Sequence, residues 1–168
     1  MKKMKKKLKN KKGFIVIESL IAISALLFFF VLFVSFLSYT IPKISLEKEV
    51  QNLAQIAKKQ GGLTDKTSQP VNSDIELFKD TLEKMGYDKN SIVIEAKTIP
   101  SGQMAIGVTP LNEEGNNYIK RDSKELIEIT ISIPADKSVF NVPLKFFGIK
   151  NNLSGVYYFR EVIGSERW

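Results

Sequence analysis

Residues 11–28, KKGFIVIESLIAISALLF, decide how the rest of the chain is read. Two lysines and Gly13 close a basic run. Phe14 opens an apolar stretch that continues to Ile41, and Glu18 is the only charge between Lys12 and Lys43. At ~1.5 Å per residue, residues 14–41 make a helix of about 42 Å, longer than the ~30 Å hydrocarbon core of a bilayer. A charged side chain in a span costs roughly 2.5–3.5 kcal/mol on insertion scales. A carboxylate kept at the start of an otherwise uncharged run therefore predicts a use for it.

The net charge of +7 over 168 residues invites a nucleic-acid reading, which fails on where the charge lies. The first thirteen residues hold eight lysines and no acid; the remainder carries 17 basic against 18 acidic residues, a net charge of −1. Basic residues flanking a span stay on the cytoplasmic side. The expected topology is a single pass with the N-terminus inside and the C-terminal part outside, and no nucleic-acid partner is expected for this chain alone. An ordinary cleaved signal fits poorly, because its apolar core runs to only about 7–15 residues before a small-residue cleavage site. Here the run ends in Ser38-Tyr39-Thr40-Ile41-Pro42. A plain membrane anchor explains the length and the lysines, but neither Glu18 nor the Gly13-Phe14 junction.

Basic leader, Gly13, Phe14, three apolar residues and Glu18 together resemble the type IV prepilin signal. The resemblance covers the first thirty or so residues. It implies that a membrane prepilin peptidase cuts between Gly13 and Phe14 and methylates the new amino terminus. It also implies that Glu18, fifth in the mature chain, pairs with the N-terminal amine of a neighbouring subunit. Residues 52–63 (NLAQIAKKQGGL), Met85-Gly86-Tyr87 and Ser154-Gly155-Val156-Tyr157-Tyr158 further resemble TadE-like minor pilins of tight-adherence pili in Gram-positive bacteria. The partners implied are other pilin subunits, the prepilin peptidase, assembly-platform proteins and the membrane, with a surface filament as the destination. The competing reading from another class is a single-pass, membrane-anchored binding or scaffold module that is not processed.

Four segments are expected: a leader at 1–13, a transmembrane assembly helix at 14–41, its continuation at 42–62, and an α+β domain at 63–168. Pro42 lacks a backbone donor and clashes with the carbonyl four residues back, which predicts a kink or short break. Ile44, Glu47, Val50, Leu53/Ala54 and Ala57 step at helical spacing, and Gly61-Gly62 supplies the stop. After a polar loop at 64–72, Ser73 with Glu76 reads as a capping box. It opens a helix over 74–85 on Ile75, Phe78, Leu82 and Met85. The period then falls to two. Strands are expected at 92–98, 125–133, 138–146 and 156–162, with Met104–Val108 a hairpin partner to the first. In 125–133, Ile127, Ile129, Ile131 and Ile133 share one face. The fold class is α+β: a long N-terminal membrane-spanning helix packed on a small, mostly antiparallel sheet, with one additional short helix.

Little in the chain points to catalysis. There is no histidine and no cysteine, so Ser-His-Asp and Cys-His arrangements are excluded, as are disulfides and thiolate metal sites. Gly61-Gly62 lacks the lysine and hydroxyl residue of a phosphate loop. Asp88-Lys89-Asn90 begins like a calcium loop but lacks its glycine and closing glutamate, and reads as a turn. Glu113-Glu114-Gly115-Asn116-Asn117 reads as a solvated loop. No enzyme activity, metal or cofactor is expected. Of the C-terminal aromatics, Phe146-Phe147 and Tyr157-Tyr158-Phe159, half are expected in the core. Trp168 either docks or frays.

Overall fold

The computed structural model describes residues 2–135 and 155–168, without the side chains of residues 2–13, Ser35 and Ser38. The expected strand at 138–146, Phe146-Phe147 and Ser154 lie outside the described residues. The chain divides into two units, one ending at Thr40 and one from Ile41 to Trp168, and the boundary falls inside the first helix. The fold is α+β. Helix α1 spans Lys2–Gln60, α2 spans Asp74–Lys84, and strands β1 (Val93–Ile99), β2 (Leu126–Pro134) and β3 (Val156–Gly164) form one antiparallel sheet in that order.

Helix α1 is not broken at Pro42, which lies inside it with its ring buried. The stripe that α1 contributes to the core is Leu46, Val50, Leu53, Ala54 and Ala57. This shifts the expected phase. Ile44 is 61% exposed and Glu47 faces solvent, because the three- and four-residue steps run back from Val50 through Leu46 to Pro42. Lys58 and Lys59 occupy the last turn, where cations meet the negative end of the helix dipole. The helix then stops where the glycines lie. Gly61 takes φ +76°, and the Gly62 N–H donates to the Ala57 carbonyl at 3.0 Å, the six-to-one bond of a Schellman end.

Helix α2 buries Phe78 and Leu82, with Ile75 and Met85 packed at the margin of the core. Its C-terminus is a full Schellman motif: Gly86 N–H donates to Glu83 O at 2.9 Å and Tyr87 N–H to Leu82 O at 3.0 Å. The N-terminus departs from the capping box. The Ser73 side chain makes no cap bond. Thr64, ten residues before Asp74, does that work instead: its Oγ1 accepts from Asp74 N–H at 2.9 Å, while its own N–H and hydroxyl donate to the Asp74 carboxylate at 2.9 and 2.6 Å. The local cap lost to a tertiary one because Leu63 and Thr64 are pinned beside it, Leu63 N–H to Ala105 O and Gly107 N–H to Leu63 O, each at 2.9 Å. The same stitches explain why Met104–Val108 is not a full strand. It makes one antiparallel bridge, Lys97 to Met104, then turns away to bridge Leu63 through Ile106.

Asp88-Lys89-Asn90 is a turn, the Asp88 carboxylate accepting from Asn90 N–H at 3.2 Å. Lys89 lies between Glu76, at 2.9 Å, and Asp80. Hydrogen bonding to that ammonium holds both carboxyls below their usual range.

Strand β2 is central, with Ile127, Ile129, Ile131 and Ile133 fully buried, as its alternation predicts. On its other face Glu128 is also buried. Lys97, its register partner on β1, stands 3.6 Å away, and Arg160 of β3 donates to it from the other side. On β3, Tyr157 and Phe159 enter the core and Tyr158 faces out. Opposite them Tyr87 is buried, and burial, with Tyr157 nearby, pushes its phenol up to about 12. The free phenol titrates near ~10. The contribution of neutral Tyr87 to stability is thus complete below pH ~10 and is lost as pH rises from there towards 12. Absorbance titration should show a late phenol coupled to unfolding. Tyr87→Phe should reduce that late absorbance change, and a change of the same size in the variant would refute the assignment.

The C-terminal tetrapeptide does not fray. Glu166 N–H donates to Lys58 O at 2.8 Å, and their side chains pair at 2.8 Å. Arg167 donates to the carbonyls of Gln60 (3.2 Å), Thr109 and Pro110 (3.3 Å), and its guanidinium stacks 3.7 Å over Tyr118. Trp168, 75% exposed, has its carbonyl held by Tyr118 Oη at 2.8 Å and its ring under the Arg121 guanidinium at 4.5 Å.

Candidate assembly helix

From Phe14 to Thr40 α1 shows its side chains to the surroundings almost everywhere. Phe14, Leu20, Leu26, Phe29, Phe33 and Phe36 are all exposed. It is the one helix among the described residues long and apolar enough to cross a membrane. The apolar side chains suit lipid. Helical N–H and C=O groups pair within the segment, as a bilayer requires, save that Pro42 offers the Ser38 carbonyl no N–H. Ser19 Oγ donates to Ile15 O and Ser24 Oγ to Leu20 O, both at 2.8 Å. These two hydroxyls are therefore satisfied within the helix itself and do not face the apolar surroundings unpaired.

The Gly13–Phe14 peptide bond lies within the helical backbone. Glu18 is one turn beyond it, exposed, and without an ion-pair or hydrogen-bond partner among the described residues. Phe14 and Glu18 share a helix face, as positions four apart do. The sequence-expected site residues thus fall into one place, except Pro42, which belongs to the second unit.

A shallow hollow of about 120 Å³ lies between α1 and α2, lined by Glu49, Asn52, Leu53, Asp74 and Phe78. Another, about 340 Å³, lies beside β1 among Ile94, Lys97, Met104 and Ile106. Neither brings a nucleophile to a base. Among the described residues no three acidic side chains gather to hold a metal, and Glu113 and Glu114 stand exposed on their loop. Sequence reasoning missed the Arg167–Tyr118 and Arg121–Trp168 stacks, which join residues about fifty apart and leave no local pattern. No family model, curated protein or solved structure matches the chain.

Proposed function

We propose that this chain is a prepilin-like subunit, a minor pilin or pseudopilin of a type IV filament with the Tad type preferred. It is inserted with its lysines inside, cut after Gly13, methylated at Phe14, and assembled through residues 14–41. The observation that carries this reading is Glu18: a carboxylate without a partner among the described residues, one turn from the Gly13-Phe14 junction, on a stretch otherwise uncharged from Phe14 to Pro42. The α+β fold supports it, since pilins combine a long N-terminal helix with a small antiparallel sheet. In this reading the protein works by assembly and is a peptidase substrate, with the C-terminal unit displayed outside the cell.

The test is the N-terminal residue of the membrane-extracted protein, by intact and peptide mass, with and without Gly13→Ala. A chain beginning at Phe14, and at Met1 in the variant, is the expected result. A chain still carrying its lysines in cells with an active prepilin peptidase overturns the reading and leaves a membrane-anchored module.

A further inference from the structure

Strand β1 borders the sheet, and only half of its outer side is covered. Beside its second half runs the segment that follows Pro100: Thr98 N–H donates to Gln103 O at 2.8 Å, and Ala105 N–H to Ala96 O at 2.9 Å. At Ile106 that segment leaves to bridge Leu63. Backbone groups that point to one side of an antiparallel strand recur at every second residue. The N–H and C=O of Ile94 therefore point outward, as those of Ala96 and Thr98 do. They have no hydrogen-bond partner among the described residues. The hollow of about 340 Å³ lies along this stretch. Ile94 and Ala96, which pack with the core, line it from one face of the sheet. Glu95 and Lys97 line it from the other, and Met104 and Ile106 close its far side. A hollow bordered by both faces of an edge strand occupies the place of a further strand. Its charge is one-sided. Lys97 is paired with Glu128, whereas Glu95 is exposed and has no cation paired with it among the described residues.

We infer that this open edge of β1 accepts an extended segment of a partner protein as an added strand, with a lysine or arginine opposite Glu95 and an apolar residue on either side of it. Three observations fix that chemistry. The donor and acceptor of Ile94 match an extended backbone, which brings its own N–H and C=O to one side together; in strand addition such bonds give affinity and alternate side chains give specificity. Side chains alternate across the added strand as they do across β1. The residues flanking the cation therefore meet Ile94, Ala96 and Ile106 on the apolar face. The cation itself meets Glu95 on the other face, where opposite charges across a strand pair attract. The site lies wholly in the second unit and does not rest on the N-terminal processing proposed above.

The test uses the full chain in detergent and a labelled, acetylated peptide, Ser-Thr-Val-Lys-Val-Thr-Ser, read by fluorescence anisotropy. Two companion peptides probe its parts. One has glutamate in place of the lysine. The other has both valine nitrogens methylated, which removes the donors that face β1. The lysine peptide should bind about fivefold more tightly than the glutamate peptide and about tenfold more tightly than the methylated one. Glu95→Lys, on the exposed face, should reverse the preference between lysine and glutamate. Binding should also slow hydrogen exchange at the Ile94 amide. Equal binding of the three peptides, no binding of any, a preference unchanged in Glu95→Lys, or protection that leaves Ile94 out would each overturn the inference. The peptide comparisons use the unaltered chain, so they decide the matter even where Glu95→Lys folds poorly.

Discussion

Gly62→Ala is expected to destabilise the C-terminal unit by roughly 3–5 kcal/mol. Gly62 sits at φ +143°, and a Cβ there would lie 2.4 Å from Val108 Cγ1 and 2.8 Å from the Ala105 carbonyl. Two costs add. A side chain in this backbone region strains it by about 1–3 kcal/mol, and forcing carbon into a filled space costs about 1–3 kcal/mol more. The Ala105 carbonyl has no freedom to retreat, because it accepts from Leu63 N–H. For a domain of this size the loss corresponds to a fall in Tm of roughly 10–20 °C, read by circular dichroism of the detergent-solubilised chain. Gly102→Ala is the control. Gly102 also has positive φ, +72°, but a Cβ there meets nothing within 4 Å, so it should cost only ~1 kcal/mol. If both alanines cost the same, the packing argument is wrong.

Glu18→Ala is expected to leave insertion and cleavage intact and to reduce filament incorporation at least tenfold. Removing a carboxylate from a span makes insertion easier, so a deficit of protein in the membrane is not predicted. In the proposed reading, what is lost is the attraction between that carboxylate and a neighbouring subunit's amine. At ~4 Å and an effective dielectric near 20 the attraction is about 4 kcal/mol before desolvation, against ~1.4 kcal/mol for a tenfold change. Comparing subunit in sheared filaments with subunit in membranes, by immunoblot, reads it. Glu18→Gln, which keeps the size and loses the charge, should behave like alanine. Incorporation at the wild-type level in both variants would remove the assembly role from Glu18.

Much of the fold was legible in local chemistry. The glycine stop of α1, the short helix closed by Gly86 and the isoleucine face of β2 each depend on residues within a few positions of one another. What was not legible depends on residues far apart. The periodicity of 44–57 admitted two phases, and only the seating of Pro42 and Leu46 against the core selects the one used. Ser73 and Glu76 have the spacing of a capping box, yet Thr64 occupies that end of α2 because bridges to Ala105 and Gly107 hold it there. Met104–Val108 alternates like a strand, but half of it serves β1 and half serves Leu63. Of the candidate site, Gly13, Phe14 and Glu18 lie within six residues of one another and can be named from local sequence. The anchoring of Arg167 and Trp168 in the second unit joins them to Gln60, Thr109 and Tyr118, and leaves no local pattern.

That anchoring has a bearing on how the molecule is made. The core stripe of α1 is synthesised first, and the groups that close over its end, Glu166 and Arg167, come last, 107 residues after Gln60. Contacts of such wide sequence separation form slowly. If the C-terminal unit is exported, Leu46, Val50 and Leu53 emerge with nothing to cover them. Their cover arrives in stages, α2, β1 and β2 before β3 and the tail. An arrest before the last stage would leave the end of α1 and one edge of the sheet uncovered, and would present aggregation-prone apolar surface to whatever chaperone or protease guards the outer face of the membrane.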